Sequence, residues 1–350
     1  MLVAHGLLER IPSILQDHAP AHRYAVISDH HVAPLYGSQV VSLLRGGGVN
    51  AELYQFPAGE ASKTRDSWSR LTDALLADGH GRDSCVVAVG GGVTGDLGGF
   101  VAATFLRGIS VVQVPTSYLA MIDAAVGGKT GVDTVAGKNL VGAFHAPKCV
   151  VVDPATLGTL PAADRAEGLV EAVKHGAILD ASYFEQLASD AELLMEADPT
   201  AAESAVLSSI RLKGAVVTKD ELEGGFRQIL NFGHTIGHAL ESVSDFSVGH
   251  GTAVAAGMLL EAEIGERLSV TAAGTRDILG RTLASLGFEM AVLPSLDIDD
   301  VMTALAGDKK ARTGRPRYVL LRRIGDVDDA EGWSREVPDA MVREVLGELS

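Results

Sequence analysis

Aromatic residues are scarce in this 350-residue chain, at 5% of the total, so a core has to be filled by the aliphatic side chains that dominate its 47% hydrophobic content. Cysteine occurs only twice, Cys85 in SCVVAV and Cys149 in KCVVVD. Each introduces an apolar, strand-like run, which marks both as small core residues rather than a disulfide or a metal set. Basic residues are outnumbered, 29 Lys and Arg against 45 Asp and Glu, for a net charge of −16. That balance argues against nucleic acid or an anionic membrane as partner. An anionic small substrate would have to be met by local basic clusters. No apolar stretch reaches about 18 residues and no basic-then-apolar leader precedes the first strand, so a soluble, cytoplasmic protein is expected. Internal repeats and low-complexity tracts are absent from the sequence.

Glycine, in contrast, is abundant at 40 residues, well above the roughly 7% that is usual, and it clusters. Over the first 155 or so positions short β-branched runs alternate with helical ones: YAVISD (24–29), AELYQF (51–56), CVVAVGGG (85–92), SVVQVPT (110–116) and CVVVDP (149–154). This alternation predicts a mostly parallel, Rossmann-like α/β domain with its ligand outside the carboxyl ends of the strands. From about residue 162 the period becomes helical, in stretches at 163–179, 191–217, 231–243, 250–270 and 275–288, with one late extended run, RYVLLRRIG (317–325). A boundary is expected near 156–162, with Asp164 as an N-cap. The expected organisation is an α/β domain at 1–158 and a mainly helical one at 159–350.

VVAVGGGVTGDLGGF satisfies G-x-G-x-x-G at Gly90, Gly92 and Gly95, after a strand and before a helix. Glycines there let backbone approach a pyrophosphate, and N–H groups at the helix start face its charge. The acid that usually ends the next strand is missing, since VVQVPTSY offers only Thr116 and Ser117. Asp29, ending the first strand, and Glu60 with Lys63 in FPAGEASKT are the available nucleoside contacts. Residues 107–139 are chemically dense, with Arg107, Asp123, Lys129 in GGKTG, and Lys138 with Asn139 in AGKN. A lysine amid glycine-rich backbone suits phosphate, and two such motifs in an acidic chain favour an anion site over plain turn lysines. The P-loop pattern fails because no glycine stands at the required earlier position.

In LNFGHTIGHALE (230–241), His234 and His238 are four apart on one helix face, a spacing that alone would pair them on one ion. Flanking Gly233 and Gly237 weaken a helix, which implies a large group close by. EAVKHG sets Glu171 three residues before Lys174, where a surface ion pair is the plain alternative. His250 precedes a long helix of small residues, where capping or packing is the plain alternative. One carboxylate and three imidazoles are therefore available, and two His with one Glu is a common catalytic zinc set with a position left open. Arg227 and Asn231 extend the polar stripe before His234 and suggest a cleft lining.

Together GGGVTGDLGGFVAATFLRG, VPTSYLAMIDAAVGGKTGVD, AGKNLVGAFHAP, EAVKHG, LNFGHTIGHALE, HGTAVAAGM and DKK…VLLRRIG resemble the 3-dehydroquinate synthase family, in the correct order over roughly 25–330. The resemblance implies a homodimeric enzyme of the shikimate pathway using NAD and Zn²⁺, with Co²⁺ as a substitute. It implies Glu171, His234 and His250 as metal ligands and leaves His238 at the substrate's phosphate end. Lys129, Asn139 and Lys309 or Lys310 match phosphate-pocket positions, and Arg107 an arginine lent by the neighbouring subunit. Lys174, Lys213, Arg227 and Asn231 match contacts to the substrate's carboxylate and hydroxyls, with Asp123 and Glu223 nearby. Asp29, Glu60, Lys63, Gly91, Gly92, Asp96, Thr116, Ser117, Lys138 and Thr159 match the NAD side, to which Asp123 and Lys129 also belong. The chain departs from the family's usual pattern at TSYLAMIDAA and GVDTVAG. The rivals are a valiolone- or inosose-type cyclase, disfavoured by Lys213, Arg227 and Asn231, and a metal-dependent polyol dehydrogenase, disfavoured by the paired lysine motifs. An NAD-binding sensor or scaffold would leave the Glu and His set without purpose.

Overall fold

The computed structural model describes residues 1–135, 137–221, 224–245, 247–288, 297–307 and 315–347. The chain forms two compact units, Met1–Leu160 and Pro161–Ser350.

The first unit is built on a six-stranded, all-parallel sheet. Its strands are β1 (Leu2–Val3), β2 (Arg23–Asp29), β3 (Asn50–Phe56), β4 (Ser84–Gly90), β5 (Ser110–Pro115) and β8 (Cys149–Val152), in the spatial order β1-β8-β5-β4-β2-β3. Helices α1 (Ile11–His18), α2 (Ser38–Gly46), α3 (Arg65–Ala77) and α4 (Gly92–Thr104) cover it. Every residue of β4 is buried, as a strand between two helical layers requires. Alternate side chains serve the two layers: Val87 and Val89 pack with Ile11, Leu15 and Leu44, while Val86 packs with Leu71, Leu97 and Val101. Cys85 and Cys149 are buried free thiols, as their apolar settings predict.

The chain runs from β2 out to the edge at β3, then returns to lay β4 on the other side of β2. Strand order thus reverses between β2 and β4, and ligands of such sheets bind outside the strand ends at that reversal. Asp29 ends β2 and Gly90 ends β4, so the candidate nucleotide residues flank this point. The two lysine motifs, rich in glycine, lie on strands: Lys129–Thr134 (β6) and Gly137–Phe144 (β7) form an antiparallel pair, with Lys129 opposite Phe144 and Val132 opposite Val141. The glycines hid its alternation, since Gly131 pairs Gly142 across the ladder.

The second unit is mainly helical: α5 (Ala162–Leu179), α6 (Ala181–Ser189), α7 (Ala191–Met195), α8 (Pro199–Lys219), α9 (His234–Val243), α10 (His250–Arg267), α11 (Thr275–Ser285), α12 (Ile298–Ala306) and α13 (Asp339–Gly347). The extended run at 317–325 contributes the short strand β9 (Leu321–Arg323), paired with β10 (Asp326–Val327), and an antiparallel bridge from Tyr318 to Arg335. The stretch at 191–217 is broken: Ala197 turns left-handed at φ 57, Asp198 caps the N–H of Ala201 at 2.9 Å, and Pro199 opens α8. Asp164 is not an N-cap but lies inside the first turn of α5, whose N-cap position is Pro161. The helix expected from 231 begins only at His234. Before it come a 3₁₀ turn at Phe226–Asn231 and Gly233 at φ 76, so Arg227 and Asn231 do not share a helical stripe with His234.

The large neighbour that Gly233 and Gly237 imply is α10. A Cβ on Gly233 would stand 2.7 Å from the Val254 carbonyl oxygen, and one on Gly237 3.0 Å from that of Ala253. Ile236, Leu240, Ala253, Ala256 and Leu260 close the same seam with Tyr318 and Val342. No helix among the described residues is long and apolar enough to cross a membrane.

Candidate active site

In the second unit α5, α9 and α10 deliver three side chains to one point. Glu171, His234 and His250 each offer a ligand atom, and these atoms lie within 4.8 Å of one another. His234 Nε2 stands 3.6 Å and His250 Nε2 3.7 Å from Glu171 Oε1. That oxygen is buried and accepts no regular hydrogen bond from the described residues. Buried polar atoms are rarely left so, and a carboxylate with two converging imidazoles is a suitable donor set for Zn²⁺. The set fits a divalent cation.

Charge tunes the cluster. Burial opposes ionisation of Glu171, but Lys174 and His234 outweigh it and hold the carboxyl well below its ordinary value. Lys174 Nζ pairs directly with Glu171 Oε2, and both side chains are buried, so the plain alternative of a surface pair does not hold. Burial, reinforced by the Lys174 ammonium, pushes the His234 imidazole well down. A neutral ring keeps a lone pair for a metal. Its Nδ1 lies 3.2 Å from the carbonyl oxygen of Phe232, leaving Nε2 for the cluster. Burial disfavours charge on His250 too, but the Glu171 and Glu241 carboxylates beside it prevail and push it up to about 10.

His234 and His238 have ring centroids 5.3 Å apart, yet they fall into different groups: His238 gathers with Glu241 and His250. Lys213 and Arg227, both buried, add positive charge in this unit. Arg227 donates from Nη1 to the Glu221 carbonyl at 2.7 Å and from its backbone N–H to Asp220 Oδ2 at 3.0 Å. Asn231 ends the 3₁₀ turn. Glu223, Lys309 and Lys310 lie outside the described residues.

In the first unit Asp29 fixes the turn after β2, its Oδ1 accepting the N–H groups of His31 and Val32 at 2.8 and 3.1 Å. Its Oδ2 accepts from Thr94 Oγ1 at 3.2 Å, tying the two sides of the sheet reversal together. Gly91 and Gly92 open α4. A Cβ on Gly91 would lie 3.5 Å from Ser117 Oγ, and the Thr116 N–H bonds Gly90 O at 3.0 Å. Thr159 is apart from these, bonded to the Tyr36 hydroxyl at 2.8 Å.

Lys63 links the two halves of this constellation. Its buried ammonium donates to Asp96 Oδ2 and to Asn139 Oδ1, each at 2.5 Å, with Glu60 Oε1 at 3.7 Å. Burial would lower its pKa, but Asp96 and Glu60 win and hold it above the usual range. Asn139 is left-handed at φ 56, held by its N–H on Asp133 Oδ1 at 2.7 Å. An ammonium only donates, so the Asn139 amide turns its oxygen to Lys63 and keeps its N–H₂ group as donor. Lys129 and Lys138 stand on β6 and β7, and Asp123 in the helical turn Ala120–Ala124. Arg107 is exposed, left-handed at φ 70, and makes no side-chain hydrogen bond or ion pair with the described residues.

Sequence reasoning missed three acidic side chains that hold this framework. Glu167 accepts the N–H groups of Gly251 and Thr252 and so caps the helix that His250 begins. Glu261, fully buried, accepts the Gly233 N–H at 2.8 Å where α9 begins. Glu241 faces His250 Nδ1 at 3.4 Å. Only Glu241 had a readable signal, since 234, 238 and 241 share one helix face.

The fold of this chain is that of sugar-phosphate cyclases, and it is shared more distantly with dehydrogenases. A 2-deoxy-scyllo-inosose synthase solved with carbaglucose-6-phosphate, NAD⁺ and Co²⁺ is 28% identical with a TM-score of 0.91, the match covering 99% of this chain and 95% of that one. A 2-epi-5-epi-valiolone synthase from Streptomyces hygroscopicus, with NAD⁺ and Zn²⁺ bound, is 28% identical with a TM-score of 0.90 over the same shares. A probable glycerol dehydrogenase from Sinorhizobium meliloti, 19% identical with a TM-score of 0.70 over 99% and 95% of the two chains, shares the fold.

The chain belongs to the 3-dehydroquinate synthase family, whose N-terminal model matches residues 53–167 and whose C-terminal model matches 168–311. The 3-dehydroquinate synthase of Symbiobacterium thermophilum is 42% identical over 93% of this chain and 91% of its own length. That of Desulforamulus reducens is 38% identical over the same shares. The protein is accordingly an enzyme of the carbon–oxygen lyase kind.

Proposed function

We propose that the protein converts 3-deoxy-D-arabino-heptulosonate 7-phosphate to 3-dehydroquinate and phosphate, as a 3-dehydroquinate synthase of the shikimate pathway. The route is transient oxidation, phosphate elimination, re-reduction, ring opening and intramolecular aldol closure. The observation that carries this reading is the convergence of Glu171, His234 and His250 in a chain of this family. When bound, NAD supplies a hydride acceptor that is restored within each turnover, and Zn²⁺ or Co²⁺ supplies positive charge beside a developing alkoxide.

The chain's own residues do the rest. Glu171, His234 and His250 hold the cation, with Lys174 keeping Glu171 ionised. Lys174, Lys213, Arg227 and Asn231 bind the substrate's carboxylate and hydroxyls, and His238 its phosphate end, with Asp123 and Glu223 beside them. Lys129 and the Asn139 N–H₂ group, with Lys309 or Lys310, stabilise the leaving phosphate through fixed donors and charge. The phosphate itself serves as the base for the adjacent C–H, so no dedicated carboxylate base is needed. Asp29, Glu60, Lys63, Gly91, Gly92, Asp96, Thr116, Ser117, Lys138 and Thr159 bind NAD, with Asp123 and Lys129 on the same side. In this reading residues 1–158 are the NAD-binding domain and 159–350 the metal- and substrate-binding domain, acting in the cytoplasm. The enzyme is a homodimer in which Arg107 reaches the neighbouring subunit. The exposed Arg107, with Leu140 and Phe144 exposed on β7, supports that assembly.

The test is incubation with the heptulosonate phosphate and NAD. Stoichiometric phosphate and dehydroquinate without net NADH supports the lyase, whereas accumulating NADH supports a dehydrogenase. Preference for a heptulose phosphate lacking the carboxylate would move the reading to a valiolone-type cyclase.

A further inference from the structure

His250 is held at both of its ring nitrogens. Nε2 points at Glu171 Oε1, 3.7 Å away, and Nδ1 at Glu241 Oε2, 3.4 Å away. Glu241 is buried near the end of α9, seven residues after His234, and none of the roles above uses it. The His234 ring is arranged in the same way, with Nε2 on Glu171 Oε1 and Nδ1 on the Phe232 carbonyl oxygen. Each imidazole thus offers the same nitrogen to the cluster and rests the other on an acceptor. One acceptor is backbone, the other a side chain that can be changed.

A neutral imidazole has two tautomers, and only the one protonated at Nδ1 leaves a lone pair on Nε2. A carboxylate at Nδ1 selects that tautomer, fixes the ring plane and raises the ligand's basicity. We propose that Glu241 is a positioning residue of the metal site, accepting the Nδ1–H of His250 and so committing Nε2 to the cation. The inference rests on the reading of Glu171, His234 and His250 as ligands. The competing role for Glu241 is that of a ligand itself, since its carboxylate also lies within 4.8 Å of ligand atoms of His238 and His250.

Titration of the metal-free protein with Co²⁺, followed by visible absorption and calorimetry, separates these roles. Three variants are compared with the wild type: Glu241→Leu, which removes the acceptor, Glu241→Gln, which keeps an amide oxygen in its place, and Glu171→Gln. We expect one ion per chain in the wild type and in both Glu241 variants. Affinity should fall about 10- to 100-fold in Glu241→Leu, with a shifted absorption spectrum, and recover most of that loss in Glu241→Gln. Nitrogen-15 spectra of the Zn²⁺-loaded protein should show His250 bound through Nε2 with Nδ1 protonated in the wild type and in Glu241→Gln, and a mixture of Nε2-bound and Nδ1-bound rings in Glu241→Leu. Unchanged affinity and tautomer in Glu241→Leu, with binding abolished in Glu171→Gln, would overturn this inference alone. A stoichiometry falling from two ions to one in Glu241→Leu would overturn it in favour of a second ligand role. If Glu171→Gln also binds Co²⁺ as tightly as the wild type, the ligand trio itself is wrong.

Discussion

Gly257 lies so close to Gly233 that a Cβ on Gly257 would stand 1.9 Å from the Gly233 carbonyl oxygen. The two glycines are the point where α10, which begins with His250, meets the start of α9, which begins with His234. The spacing of these two imidazoles is therefore set by a backbone-to-backbone contact.

Gly257→Ala should separate the helices and cost about 3 kcal/mol, the upper part of the range for overpacked cores. Urea unfolding measures the loss, and metal titration of the folded fraction should show weakened binding as the two histidines move apart. Wild-type stability in this variant would mean that the seam is loose.

Asn139→Asp should keep the bond from Lys63, because a carboxylate oxygen replaces the amide oxygen, while exchanging the N–H₂ donors for an anion facing the phosphate. We expect kcat/KM to fall by about 10²- to 10³-fold, as for a lost transition-state donor, with NAD affinity retained in calorimetry. Equal loss of both would show that Asn139 serves the cofactor rather than the phosphate.

Glu261 gives a pH dependence with a definite sign. Burial pushes its carboxyl well above the ordinary 4.5, the Gly233 N–H opposing but not overcoming it. A group whose folded value is raised contributes stability that is complete below its unfolded value and is lost as pH rises through the folded one. Glu261→Gln is neutral at every pH and retains an acceptor for Gly233. Its stability relative to the wild type should therefore rise with pH above about 4.5. Parallel stability–pH curves for the two proteins would contradict an uncharged Glu261.

The β-branched runs and their glycine stops made the parallel sheet legible, because a strand buried on both faces has to be continuously apolar. The β6–β7 pair was not, since Gly131 and Gly142 interrupt its alternation and Lys129 and Lys138 gave it the look of a loop. Period alone also ran helices together across Ala197 and Gly233, where a single left-handed residue redirects the chain. The residues Glu171, His234 and His250 were visible as chemistry, but spacing favoured His234 with His238. Only packing of α10 on α5 brings His250 within reach of Glu171. Glu167, Glu241 and Glu261 act through contacts 84, 9 and 28 residues away along the chain; the most distant of these leave no local pattern to read.

The account rests on one divalent cation held by one carboxylate and two imidazoles. Anomalous diffraction at the zinc edge from crystals of the Zn²⁺-loaded protein tests this directly. We predict a single peak per chain in the second unit, with a Glu171 oxygen and the Nε2 atoms of His234 and His250 at about 2.0–2.2 Å. A peak ligated instead by His238 and Glu241, or no peak from protein shown to be active, would contradict it.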